Sequence, residues 1–131
     1  MAASKMTSLS VGKIIRKVLT EDATVSALVT KVFPVATDTA RLPYVSYRRA
    51  SLDPTNVKGG ANPDTTAVEV LCFTEKYESG VELAEAVRDA LEGKQVQIEG
   101  LTMRSCFLSD SEEAYQDDAY VQQLVFTIKA S

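Results

Sequence analysis

Ser10-Val11-Gly12-Lys13 matches the bare S-x-x-K pattern, in which a lysine amine activates a serine hydroxyl for nucleophilic attack. The companions of that chemistry, S-D-N and K-T-G, do not occur in the chain, and a helix N-terminus explains the four residues better. Histidine is absent altogether, which removes Ser-His and Cys-His nucleophiles and most zinc-dependent hydrolase arrangements. Asp110, Glu112, Glu113, Asp117 and Asp118 bring enough carboxylates to ligate Ca²⁺ or Mg²⁺. Their spacing, however, lacks the alternating ligands and central glycine of an EF-hand loop, and a solvated surface loop is the simpler reading. Gly59-Gly60 is not followed by the Lys-Ser/Thr of a phosphate-binding loop, and no G-x-G-x-x-G occurs, so nucleotide binding has no support. Cys72 and Cys106 fall in expected strands without C-x-x-C spacing, which suits buried reduced thiols rather than a disulfide framework or a zinc site. Arg48, Arg49 and Lys58 gather positive charge around the base of a long loop. There they would meet acidic residues of a partner, or stand as ordinary solvated strand-end charges. Nothing pairs an acid with a base at interpretable spacing, and neither a cofactor nor a metal is expected.

The elements that would position these residues are organised around Thr66 to Gly93. Val68, Val70 and Cys72 make one strand face apolar and Leu71 and Phe73 the other, which predicts a central strand covered on both sides. Ser79-Gly80-Val81-Glu82 fits a capping box, after which Leu83, Ala84, Val87, Ala90 and Leu91 recur at helical spacing and Gly93 suits the left-handed position that ends a helix. Earlier, Val11, Ile14, Ile15, Val18 and Leu19 form a core-facing helical stripe with Ser8 or Ser10 as its N-cap. A short second helix from Ala23 to Val29 is expected behind Asp22. Val32-Phe33-Pro34 reads as an extended piece, and Tyr44 to Arg49 as a strand preceded by Pro43. Ser51 to Asp64, with Pro54, Gly59, Gly60, Asn62 and Pro63, reads as a loop of unusual length. Val96 to Ile98, Leu101 to about Ser109, and Tyr120 to Ile128 are expected strands, with Asp110 to Asp118 an acidic connection before the last. The sum is an α+β domain: a mostly antiparallel sheet of four to five strands, N-terminal helices, and one central amphipathic helix packed on it.

The 131 residues are expected to form one domain spanning 1–131, with 1–7 flexible. A formal charge of −4 and the absence of a basic run argue against general nucleic-acid binding. No long apolar run predicts a membrane span, and the first ten residues lack the apolar core of a signal peptide.

Taken together, the apolar first helix, V-F-P, the L-P-Y-V-S-Y strand, the Gly/Pro loop, the strand into L-A-E-A-V-R-D-A-L-E-G, and the final Y-V-Q-Q-L-V-F-T-I strand show a familiar order. From Val11 to Ile128 this pattern resembles the tail-completion or tail-terminator proteins of long-tailed bacteriophages. The resemblance rests on order and spacing, not on an active-site signature. It implies a small α+β protein that forms a hexameric ring, caps the tail tube, ends its elongation and joins it to the head connector. It also implies virion localisation in the tail or neck, assembly in the host cytoplasm, and DNA passing through the lumen without sequence-specific binding. The interface candidates under this reading are Arg48, Arg49, Asp53, Asn56, Lys58, Glu112, Glu113, Asp117 and Asp118. A head-side adaptor or stopper is the neighbouring alternative. A small-molecule binding α+β domain, using an open sheet face and the long loop as a pocket, is the alternative from a different class. An enzyme using carboxylates or tyrosine ranks last.

Overall fold

A computed structural model describes residues 6–35, 41–54 and 63–131. The first apolar stripe folds as α1 (Val11–Glu21), burying Val11, Ile14, Ile15 and Leu19. Its start differs from the expected serine cap: the Ser10 side chain makes no capping bond. Ser8–Ser10 instead form a 3₁₀ turn, and the buried Ser8 hydroxyl donates to Asp64 Oδ2 at 2.6 Å. A tertiary partner orients the Ser8 hydroxyl, and Thr7 takes the capping role, its side chain accepting from the Leu9 amide. Asp22 does cap α2 (Ala23–Leu28), its carboxylate accepting from the Val25 amide at 3.2 Å.

Six strands form one sheet in the order β1-β2-β3-β6-β5-β4. They are β1 (Lys31–Pro34), β2 (Tyr44–Asp53), β3 (Asp64–Thr74), β4 (Val96–Ile98), β5 (Leu101–Gln116) and β6 (Ala119–Ala130). β1 runs parallel to β2, and every other neighbouring pair is antiparallel. The count exceeds the expected four to five because β1 is too short to show an alternation, and it becomes a strand by pairing with β2. The third helix, α3 (Tyr77–Leu91), lies against β3, β6 and β5 on the face that carries Val68, Val70, Cys72, Leu124, Phe126 and Ile128. On the same side α1 touches both β2 and β4, so the sheet curls around it.

The expectation that β3 is covered on both faces is not met. Val68, Val70 and Cys72 are fully buried beneath the helices, whereas Leu71 and Phe73 on the other face are half-buried and have no described helix over them. Their partial burial comes from neighbours within the sheet, as cross-strand pairs allow.

Two further expectations change. The capping box is displaced, because α3 starts at Tyr77 with Lys76 as N-cap, and Ser79 lies inside the first turn. The Lys76 carbonyl accepts from the Gly80 amide at 3.1 Å and from the Thr74 hydroxyl at 2.8 Å. Tyr77 sits edge-on to Tyr120, with ring centroids 5.9 Å apart, a tertiary contact that draws in an earlier turn than the local signal indicates. The acidic connection is likewise no loop. β5 continues through Asp110, Glu112 and Glu113 to Gln116, paired with β6, and only Asp117 and Asp118 turn the chain. Both turn residues have positive φ, 52° and 61°, as a two-residue hairpin loop of the I′ kind requires. The buried, unbridged cysteines agree with the sequence, and burial pushes both thiols up to about 12.

At Gly80 α3 lies close against the end of β3: a Cβ there would lie 2.8 Å from Thr74 Oγ1. Alanine improves helix propensity by about 1 kcal/mol, but the Thr74 hydroxyl is held by Lys76. Gly80→Ala is therefore expected to destabilise by about 1–3 kcal/mol in urea denaturation, with Thr74→Ala in the same chain restoring part of the loss. Asp118→Val is expected to cost about 1–2 kcal/mol through its left-handed backbone, while Asp118→Gly stays within about 0.5 kcal/mol of the parent.

Candidate assembly interface

The sheet face that carries no described helix begins with an aromatic row. Phe33, Tyr44 and Phe73 come from three adjacent strands and stack at centroid separations of 5.3 and 4.6 Å. Lys31 Nζ lies 5.2 Å from the Phe33 ring centre. Burial and the Asp117 carboxylate together hold the Tyr44 hydroxyl above its ordinary value. Across the same face, Glu69 receives the Arg48 guanidinium on one carboxylate oxygen and the Gln123 amide on the other, at 3.1 Å for the latter. A shallow groove farther along is lined by Leu71, Glu112, Ala114, Val121 and Gln123.

The predicted interface residues distribute as follows. Arg48 lies on the uncovered face, already paired to Glu69. Arg49 points to the opposite face, where it donates to the Leu9 carbonyl at 2.6 Å. Asp53 ends β2 and is exposed. Asn56 and Lys58 lie outside the described residues. Glu112 is exposed in β5, and Asp117 and Asp118 form the hairpin turn. Glu113 is less free than its exposure suggests: it accepts from the Tyr77 hydroxyl at 2.9 Å and from Gln122 Nε2 at 2.9 Å. Tyr77, Tyr115 and Tyr120 crowd around it. Asp53 shares β2 with Arg48 and Arg49, whereas the acidic candidates of β5 and its turn stand apart from them. β3 and β6 separate β2 from β5, three strand spacings or roughly 14 Å.

Sequence reasoning missed Glu69, Tyr77 and Gln122. A signal existed for Glu69, the one charge in the otherwise apolar run from Val68 to Phe73. Tyr77 and Gln122 acquire their roles only through the hairpin, which brings Glu113 opposite Gln122. Among the described residues, no cluster of three or more His, Cys, Asp or Glu side chains would hold a metal ion.

Hydrogen bonds from Gln122 and then Tyr77 lower the Glu113 pKa below the ordinary carboxylate value. A depressed carboxylate stabilises the fold above its unfolded pKa, and that contribution disappears as pH falls through the lowered folded value. The Tyr77 ring resonances are expected to move in that acidic window. Tyr77→Phe should return the Glu113 midpoint toward its usual value in an NMR titration, and an unchanged midpoint would contradict the contact.

The family model described as Tail completion protein gp17 matches residues 13–131. A chain of the solved structure described as "Virion of native gene transfer agent (GTA) particle" has the same fold, with a TM-score of 0.78 over 88% of this chain and 90% of that one, at 21% identity. No curated protein matches the sequence. With the family model running from the first helix through the last strand, the chain belongs to the tail completion protein gp17 family and is a structural, tail-associated protein.

Proposed function

We propose that the chain acts as a single domain that assembles into a ring, probed first as a hexamer, which caps the tail tube, stops its elongation and joins it to the head connector. The observation that carries this reading is the family match over residues 13–131. The surface supports it. The sheet presents one face with no described helix on it, and it carries Arg48 and Arg49 on β2 and a mainly acidic far half on β5, as a head-to-tail ring needs complementary, non-identical contacts. Its partners are copies of itself, the major tail tube protein and a head-completion or connector protein, and its place is the virion after assembly in the host cytoplasm. DNA crosses the ring without sequence-specific contact. The net charge of −4 favours passage, since a lumen of like sign repels the phosphate backbone.

Electron microscopy of the purified protein, alone and mixed with tail tubes, checks the reading. Rings seated on one end of each tube are expected. A monodisperse monomer that leaves both tube ends bare would contradict it.

A further inference from the structure

Among the described residues, both lateral edges of the sheet are half covered, at opposite ends. β1 accompanies β2 only from Tyr44 to Tyr47, and one more bond follows, from the Val35 amide to the Tyr47 carbonyl at 2.9 Å. From Arg48 to Asp53 β2 has no strand on its outer side among the described residues, and only Leu52 there is half-buried. On the other edge β4 covers Leu101 to Met103 of β5. The segment after α3 then takes the next outward groups. Gln95 Nε2 donates to the Arg104 carbonyl at 3.1 Å, and the Gly93 amide to the Cys106 carbonyl at 2.8 Å. The Glu92 carboxylate accepts from the Leu108 amide at 2.8 Å. Beyond that point β5 runs exposed from Ser109 to Gln116.

The backbone groups on these two open segments are aimed outward. The Ser111 amide donates to Asp110 Oδ1 at 2.9 Å rather than into the β6 ladder. Strand alternation then turns the main-chain groups of Glu113 and Tyr115 to the same side. On β2 the outward Tyr47 carbonyl places Arg49 on the open side by the same alternation. Exposed edges of this kind template the addition of another strand.

We infer that the open edge of β2, Arg48 to Asp53, pairs with the open edge of β5, Asp110 to Gln116, of the next copy, so that one sheet continues from subunit to subunit. The inference rests on the ring-forming reading above and specifies its contact. Three features select a second copy as the occupant. The open segments are similar in length. β2 and β5 run in opposite directions within the sheet, so copies standing side by side pair antiparallel. The charges are complementary at one end of the contact, where Arg48 and Arg49 meet the Asp117–Asp118 turn, while Asp53 at the other end of β2 comes beside Asp110. Antiparallel pairing sets the two arginines beside the Asp117–Asp118 turn. Because β1 and β4 block the remaining halves, neighbours meet staggered along the strands, which tilts the strands against the ring axis as in a closed barrel. Each edge is used once, so the contact is heterologous and closes by rotation.

Hydrogen–deuterium exchange on the unaltered chain, free and assembled, tests this directly. Amides of Arg49, Ser111, Glu113 and Tyr115 are expected to slow by about tenfold or more on assembly. Ser111→Pro deletes an outward amide without removing a β6 ladder bond. Once shown by circular dichroism to be folded, it is expected to need roughly tenfold more protein to assemble. Arg49→Glu, likewise shown to be folded because Arg49 also donates to the Leu9 carbonyl, should weaken assembly. Rings whose edge amides exchange as fast as in the free chain would overturn the edge pairing and leave the ring intact as a reading. A chain that stays monomeric with and without tubes would overturn both.

Discussion

The structure depends on the ladder between β3 and β6, which runs from Asp64 opposite Ala130 to Thr74 opposite Tyr120 without a break in register. A slip of one residue there would exchange the faces of one strand relative to the other. With β6 in place it would turn Val68, Val70 and Cys72 away from the helices and bring Glu69 and Leu71 beneath them. α3 follows directly from β3 and packs on this pair through Leu83, Ala84, Val87, Ala90 and Leu91. The small Ala84 and Ala90 positions let the helix lie close to the sheet. The ladder therefore fixes which face is core and which is left for other molecules.

The strands outside this pair are less regular. β2 shifts register between Arg49 and Ser51, and β5 does so between Met103 and Ser105 and again between Leu108 and Asp110. Bulges raise the local twist and bend the strand that carries them, and here they fall where β2 and β5 leave the cover of β1 and of the segment after α3. Core and edge thus have different requirements. The centre excludes water and tolerates no slip, while the edges are polar, bent and half open. Charge on an edge discourages indiscriminate pairing, and here Arg48, Arg49 and Asp53 lie along β2 while five acidic residues lie along β5 and its turn. The same charges that discourage identical edges from meeting favour the meeting of unlike ones.

The parts of the fold that were legible in the sequence are those governed by local periodicity or a local hydrogen bond. The α1 stripe, the buried face of α3, the Asp22 cap and Gly93 with its φ of 72° belong to this class. What escaped was decided by distant partners. Ser8 bonds Asp64 rather than capping a helix, and Tyr77 begins α3 early because Tyr120 and Glu113 receive it. The far half of β5 was illegible for a simpler reason: an edge strand exposed on both sides has no apolar alternation, and Asp110 to Gln116 is held in place by β6. The candidate interface was legible as residue types only. That Arg48 pairs with Glu69, and that β3 and β6 separate the arginines of β2 from the acidic residues of β5, follows from topology that no spacing encodes.

The central claim, that this chain ends tail growth and makes the tail ready for the head, is tested most directly by the length distribution of tails assembled without it. Electron micrographs of particles from cells lacking the chain should show tubes of irregular, extended length with no heads attached, and supplying the protein should restore a single length and joining. Tails of uniform normal length joined to heads in its absence would contradict the account.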